Sequence, residues 1–407
     1  MTRLGASALH DMAVRSLHAI ALRKVLERAL IIRGFCVTIP NAFEDRALRP
    51  KNATTRTGFL IDMNIFGLTC DELTGILETR YGKGAYHAKA LVREVLKRGN
   101  RHFDQAREFK DSPSLTERLN RDVKIPIPEI TRTVTEAGTV KFTTRMADGL
   151  ETESVVIPMQ NHNTLCLSCQ IGCRMGCRFC ETGGMGLKRN LRASEMTAQV
   201  YAARFVLKKD IRNIVFMGMG EPFDNFEQVR QAIAVLSDQR GFDIAPSHMT
   251  LSTAGLVPGI EALGKSGIPN IHLALSLNAP NDRIRDRLMP VNRTWPMERL
   301  KQALLAYPLP PRGLFLIGYV LIPGVNDARD HALELADFLT GLPVRVNLIP
   351  LNRTRAFGHA PAADEDIHRF ASFLEERKVF VIKRWSRGER LNAACGQLGG
   401  GQGPVGF

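Results

Sequence analysis

Five of the chain's eight cysteines, Cys166, Cys169, Cys173, Cys177 and Cys180, fall within one fifteen-residue stretch. The last three stand at Cys-x3-Cys-x2-Cys spacing in the run GCRMGCRFCETGGMGLKRN. A closed structural zinc or iron–sulfur site takes four protein ligands, so three thiolates from one loop leave a coordination position for an exogenous group. Metal centres built for chemistry have that arrangement. Cys177-x2-Cys180 is also a zinc half-site, and Cys166 with Cys169 offers a second pair, so ligand counting alone leaves zinc open. A further thiol, Cys395, lies in NAACGQL just before the glycine-rich end GGGQGPVGF. Its small neighbours leave the backbone free to swing the thiol over a nearby site. Cys36 carries no motif and reads as a small core hydrophobe.

These groups sit in a chain of 407 residues, 44% hydrophobic and 24% charged, long enough for a large catalytic domain with smaller companions. Cysteines crowded into one loop are not a secreted disulfide framework, and they suit a reducing compartment. With no run of about 18 apolar residues, a membrane span is not expected. The cytoplasm is the expected location, and the chain is expected to be a monomer. A net charge of +14, spread along the chain, favours a polyanionic partner through counterion release.

The elements that must position the cysteines follow in order. Residues 1 to 60 carry ten Lys or Arg against four Asp or Glu and read as a basic, poorly ordered extension. Residues 61 to 122 read as a small helical domain with a basic face. Thr69 and Glu72 supply a capping box, and AYHAKALVREVLKRGN ends in a Gly-Asn stop. Residues 123 to 158 read as a β-hairpin, with GTVKFTTRM and ESVVIP flanking the turn ADGLE; Glu153 lies on its second run. From 159 to 398, strand-like runs alternate with helical ones: 213–218, 248–253, 271–277, 314–322, 344–350 and 379–383. Alternation of this kind implies an α/β fold with parallel strands and helices packed outside. Polar or glycine-rich punctuation closes several strands, at Gly218 to Pro222, at Ser252 and Thr253, at Ser276 to Asn278, and between Asn347 and Asn352. Residues 399 to 407 read as a flexible tail.

The Cys-x3-Cys-x2-Cys run with Phe179 before its last cysteine resembles the signature of radical S-adenosylmethionine enzymes. With CLSCQ before it and GMGEP, TLSTAG, VNLIPLN and AACGQL following in order, the stretch from Leu68 to Leu398 resembles the RlmN/Cfr group of RNA adenosine methyltransferases. The resemblance implies a partial, open (β/α)6 barrel, with reacting groups at the C-terminal ends of its strands. It implies a [4Fe–4S] cluster on Cys173, Cys177 and Cys180, and two molecules of S-adenosylmethionine per turnover. Gly220, Glu221, Ser252, Ser276, Leu277, Asn278 and Asn352 are then expected to hold the cofactor. Glu221 would meet its amino group, and the hydroxyls and amides its carboxylate, ribose or adenine. Cys395 is expected to be methylated and to deliver that carbon through a radical route, required because amidine carbons of adenine are poor nucleophiles. Cys166 would release the product by forming a disulfide, and either Glu153 or Cys166 itself would accept the adenine proton. The implied substrate is 23S rRNA and also tRNA, at C2, with a flavodoxin-like or ferredoxin-like electron donor; Pro222 leans toward C2. The alternatives are C8 methylation, another target for a paralogue, and a zinc-dependent RNA-binding protein without turnover. Two positions depart from the group's pattern: Asn278 stands where histidine is usual, and Cys169 where serine is usual.

Overall fold

Ten strands form one sheet in which every strand lies beside its sequence neighbour. The computed structural model describes residues 63–355, 357–384, 388 and 391–399. The expectations for residues 1 to 60, for Cys36 and for nearly all of the 399–407 tail lie outside these. The first three strands, β1 (Glu129–Glu136), β2 (Thr139–Arg145) and β3 (Glu151–Pro158), pair antiparallel, and β3 pairs antiparallel with β4 (Asn163–Cys166). From β4 onward all pairings are parallel: β5 (Ile211–Phe216), β6 (Met249–Thr253), β7 (His272–Ser276), β8 (Phe315–Leu321), β9 (Val344–Pro350) and β10 (Val381–Lys383).

The sheet is open, as expected, but the hairpin reading changes. Residues 129–158 form three strands that continue the barrel sheet rather than a separate hairpin. The unexpected β1 is an edge strand rich in charge and threonine (EITRTVTE), with no buried residue. An edge strand needs no strong apolar face to pair on one side.

Long crossovers carry the helices that cover the parallel strands. Apolar residues of the helices Phe226–Ser237, Val257–Lys265 and Met297–Ala306, among them Val229, Ile233, Ile260, Leu263, Leu300 and Leu304, share one core with strand residues Ile214, Leu251, Leu273 and Ile317. The N-terminal helices join that core too. Leu73 and Leu77 of Cys70–Tyr81, and Leu91 of Ala85–Val92, belong to it. The expected capping box is present, with Thr69 Oγ accepting from Glu72 N–H at 3.2 Å and Glu72 accepting from Thr69 N–H at 2.8 Å. Arg240 ion-pairs Asp71 and Asp238, and Tyr201 donates to the Gly99 carbonyl at 2.9 Å. The helical segment is therefore fused to the sheet through shared packing. Among the described residues no helix is long and apolar enough to cross a membrane.

Candidate active site

The three-cysteine loop begins where β4 ends, and glycines let it fold tightly. Gly172 has φ +76°, and a Cβ there would lie 1.8 Å from the Gly186 carbonyl oxygen, so only glycine fits. Cys173 N–H donates to that same carbonyl at 3.2 Å, closing the loop. Gln170 anchors its base: Nε2 donates to Asn190 and to Asp224, both at 2.8 Å, and Oε1 accepts from Glu221 N–H at 2.8 Å. Arg174 pairs with Asp224 at 2.8 Å from within the loop. Loop and Gly-Glu-Pro turn are thereby one hydrogen-bonded unit.

Cys173 is buried, and Cys177 and Cys180 are half-buried against apolar neighbours. Phe179, Ile284, Leu288, Met289 and Leu351 pack around Cys177 and Cys180. Burial pushes the Cys173 thiol up to about 12, and Glu221 and Cys180 add to the rise. Burial also raises Cys177 and Cys180. Thiols this reluctant to ionise become thiolates when a metal replaces the proton. Among the described residues no three His, Cys, Asp or Glu groups close on one point as ligands of a single ion do. A [4Fe–4S] cluster instead takes each thiolate at a different iron, and the donor set fits it.

The strand ends beside the loop supply polar groups of unequal freedom. Glu221 is buried, and accepts from Phe223 N–H at 3.2 Å and Ala254 N–H at 2.8 Å. Burial nevertheless lifts its carboxyl from 4.5 to about 7. A ligand ammonium against it would restore the charged form. Gly220 has φ +107°, and a Cβ there would meet the Gln170 backbone nitrogen at 2.8 Å. Ser252 and Ser276 face each other across β6 and β7, oxygens 3.5 Å apart. Asn352 donates to the Cys395 carbonyl at 2.9 Å, while its Oδ1 is buried with no partner, as is the Thr354 hydroxyl. An orphaned acceptor of this kind is a place for a ligand's N–H donor.

Leu277 and Asn278 serve the framework. Leu277 is fully buried, and its carbonyl accepts from Arg285 Nε at 3.1 Å. Asn278 adopts φ +57°, a conformation asparagine tolerates, and its Oδ1 accepts from Val320 N–H at 2.9 Å. This accounts locally for asparagine at that position. Cys169 is buried beneath the loop near Glu221 and Cys173.

Sequence reasoning missed Arg285. It is fully buried on the helix Asp282–Leu288, and donates to Asn292 at 2.8 Å and to the carbonyls of Leu277 and Ala254. Burial lowers it to about 10, with Cys177 acting in the opposite direction. No apolar period marks an arginine inside RIRDRL as interior.

On the other side of the loop, Cys166, Glu153 and Cys395 come together. Lys141, Val155 and Cys166 align across β2, β3 and β4, and Thr143 is opposite Glu153, so all five share one sheet face. The C-terminal segment lies on that face, with Ala393 and Leu398 packed beside Val155, Cys166 and Met219. Glu181 N–H donates to the Gly396 carbonyl at 2.7 Å, and Thr182 Oγ to the Leu398 carbonyl at 2.6 Å. Cys166 is buried, and burial pushes its thiol well above the usual range, with Cys395 adding to the effect. Cys395 is open to solvent but sits within a crowded mouth, and its thiol is raised by that enclosure. Both are free thiols. Glu153 is on an inner strand, not an edge, and ion-pairs with Lys141 at 2.8 Å.

The comparisons agree with this geometry. Residues 167–338 match the radical SAM superfamily model. A probable dual-specificity RNA methyltransferase RlmN of Protochlamydia amoebophila is 40% identical over 83% of this chain and 94% of its own length. The dual-specificity RNA methyltransferase RlmN of Geobacter sulfurreducens is 40% identical over 83% of this chain and 92% of its own. This chain belongs to the RlmN/Cfr family of radical S-adenosylmethionine methyltransferases. A crystal structure of a radical SAM methyltransferase from Sphaerobacter thermophilus superposes with a TM-score of 0.78 at 38% identity, over 83% of this chain and all of that one. As an RlmN-family fold, the open sheet carries its cysteine loop at the first parallel strand, where the radical SAM model begins to match.

Proposed function

We propose that this enzyme methylates C2 of adenine in 23S rRNA and in tRNA, using Cys395 as the carrier of the incoming carbon. The observation that carries the reading is the seating of Cys395 between the three-cysteine loop and the sheet face that bears Cys166 and Glu153. When bound, a [4Fe–4S] cluster held by Cys173, Cys177 and Cys180 would supply, with S-adenosylmethionine, the one-electron chemistry that removes a hydrogen atom from the carried methyl group. Two S-adenosylmethionine molecules are consumed, and a flavodoxin-like or ferredoxin-like protein supplies electrons.

The chain's own groups do the rest. Glu221 receives the cofactor's ammonium, while Gly220 lets backbone approach it. Ser252, Ser276 and the unpartnered Oδ1 of Asn352 face its carboxylate, ribose and adenine. Glu153 takes the proton leaving the adenine carbon; Cys166, giving up its thiol proton, attacks the sulfur of Cys395, and as the disulfide forms the S–CH2 bond breaks, its electron pair staying with the methylene carbon, which takes up a proton to become the product's methyl group. The buried, protonated state of Cys166 keeps it from reacting before a base is at hand.

The test is anaerobic reconstitution followed by incubation with an adenine-containing rRNA fragment and nucleoside mass spectrometry. The expected product is 2-methyladenosine from the parent and none from Cys395→Ala. Product from the alanine variant would refute the carrier role, and 8-methyladenosine would move the reaction to C8.

A further inference from the structure

One charged pair ties down both ends of the Cys395 segment. Lys141, 7% exposed on β2, donates to the Asn392 carbonyl at 2.9 Å and pairs with Glu153 Oε1 at 2.8 Å. The other carboxylate oxygen, Glu153 Oε2, accepts from Gly399 N–H at 2.8 Å. Asn392 and Gly399 bracket Cys395. Other ties on the segment are neutral, among them Asn352 on the Cys395 carbonyl, Glu181 N–H on that of Gly396, the Thr182 hydroxyl on that of Leu398, and Gln397 Nε2 on the Arg353 carbonyl. Among the described residues the groups facing Glu153 are Lys141 and Thr143 from β2 and Gly399 from the segment, with the Ser168 hydroxyl on its own carbonyl at 2.5 Å.

We propose that Lys141 and Glu153 form a charge-dependent latch on the Cys395 segment, and that proton gain by Glu153 opens it. A buried ion pair holds while both members are charged. Neutralising one leaves the other as an uncompensated buried charge, which is strongly unfavourable. With Glu153 neutral, the Lys141 ammonium keeps, among the described residues, a carbonyl partner in a nearly dry site. It moves toward water and gives up Asn392, while the weakened acceptor at Glu153 loosens Gly399. Lys141 is on this account a positioning residue. In the proposed reaction the proton comes from the adenine C–H, whose electron pair stays with the substrate, so the carboxylate becomes a neutral acid as the carbon transfer is completed. That timing rests on the function proposed above; the latch does not. The segment then loosens when Cys395 must part from its RNA.

Hydrogen exchange of the purified full chain without cofactor, read by mass spectrometry, tests the latch. Glu153→Gln is a neutral mimic that keeps an acceptor for Gly399, and Lys141→Met removes the cation while filling its space. Both are expected to raise exchange in the peptide 391–399 by roughly tenfold, with β8 and β9 unchanged, and Lys141→Arg is expected to restore the parent's rate. Unchanged exchange at 391–399 in both variants overturns the latch, even if the parent methylates RNA. Selective acceleration with arginine rescue supports it, even if the parent methylates nothing.

Discussion

Two side chains set the chemistry apart from the packing, and each has a measurable signature. Cys166 lies buried beside the Cys395 segment, and the proposed reaction gives it the release of the product. Cys166→Ala is therefore expected to accumulate a covalent protein–RNA adduct, visible as a shifted band that survives denaturation, with turnover falling to background. Normal release would remove its role. Glu221 is held protonated by burial up to about 7, against 4.5 in an open chain. The folded protein thus binds a proton that the unfolded chain has lost, so this group's contribution to stability falls as pH rises through that window, by roughly 3 kcal/mol. Melting curves of the cofactor-free protein check this: Glu221→Gln should gain on the parent between pH 5 and pH 8, and a constant difference would contradict it. Cys173, Cys177, Cys180 and Glu221 were legible because reactive residue types at fixed spacing are rare by chance. Lys141 and Arg285 were not, since a lone cation in a strand or helix usually marks a solvated face, and only the fold turns these two inward.

At the scale of elements, the strands from β5 to β10 were readable because short β-branched runs between helices have no other stable use. The edge strand β1 was not, its polar sequence giving no period to follow. The C-terminal segment shows a second use for small residues. Its glycines and alanines suggested motion, yet they permit close docking: Gly396 has φ +85°, and a Cβ there would stand 3.1 Å from the Phe179 carbonyl. The cysteine loop makes the same use of Gly172. Gly172→Ala is expected to disorganise the loop, with iron retained after anaerobic reconstitution reduced by roughly tenfold while the circular dichroism of the sheet persists. Iron content equal to the parent's would show that the loop tolerates the added carbon.

Among the described residues one ten-stranded sheet shares its core with the helices before and after the cysteine loop, and this unity could not be seen in a sequence that reads as separate helical, hairpin and barrel parts. Its charge of +14 was legible, and with the proposed RNA substrate it predicts salt-sensitive binding. Affinity for the rRNA fragment should fall by at least about tenfold between 50 and 200 mM salt, as filter binding would measure; a flat response would argue against phosphate contacts.

The strand order has a last consequence for how the enzyme is made. Because each strand adds next to its predecessor, the nascent chain can lay down the sheet as it emerges, and the last of the three loop cysteines, Cys180, is made 215 residues before Cys395. A polypeptide cut short anywhere in that interval would keep Cys173, Cys177 and Cys180 yet lack Cys395, the carrier in the proposed reaction. On that proposal such a fragment could not become covalently trapped on RNA.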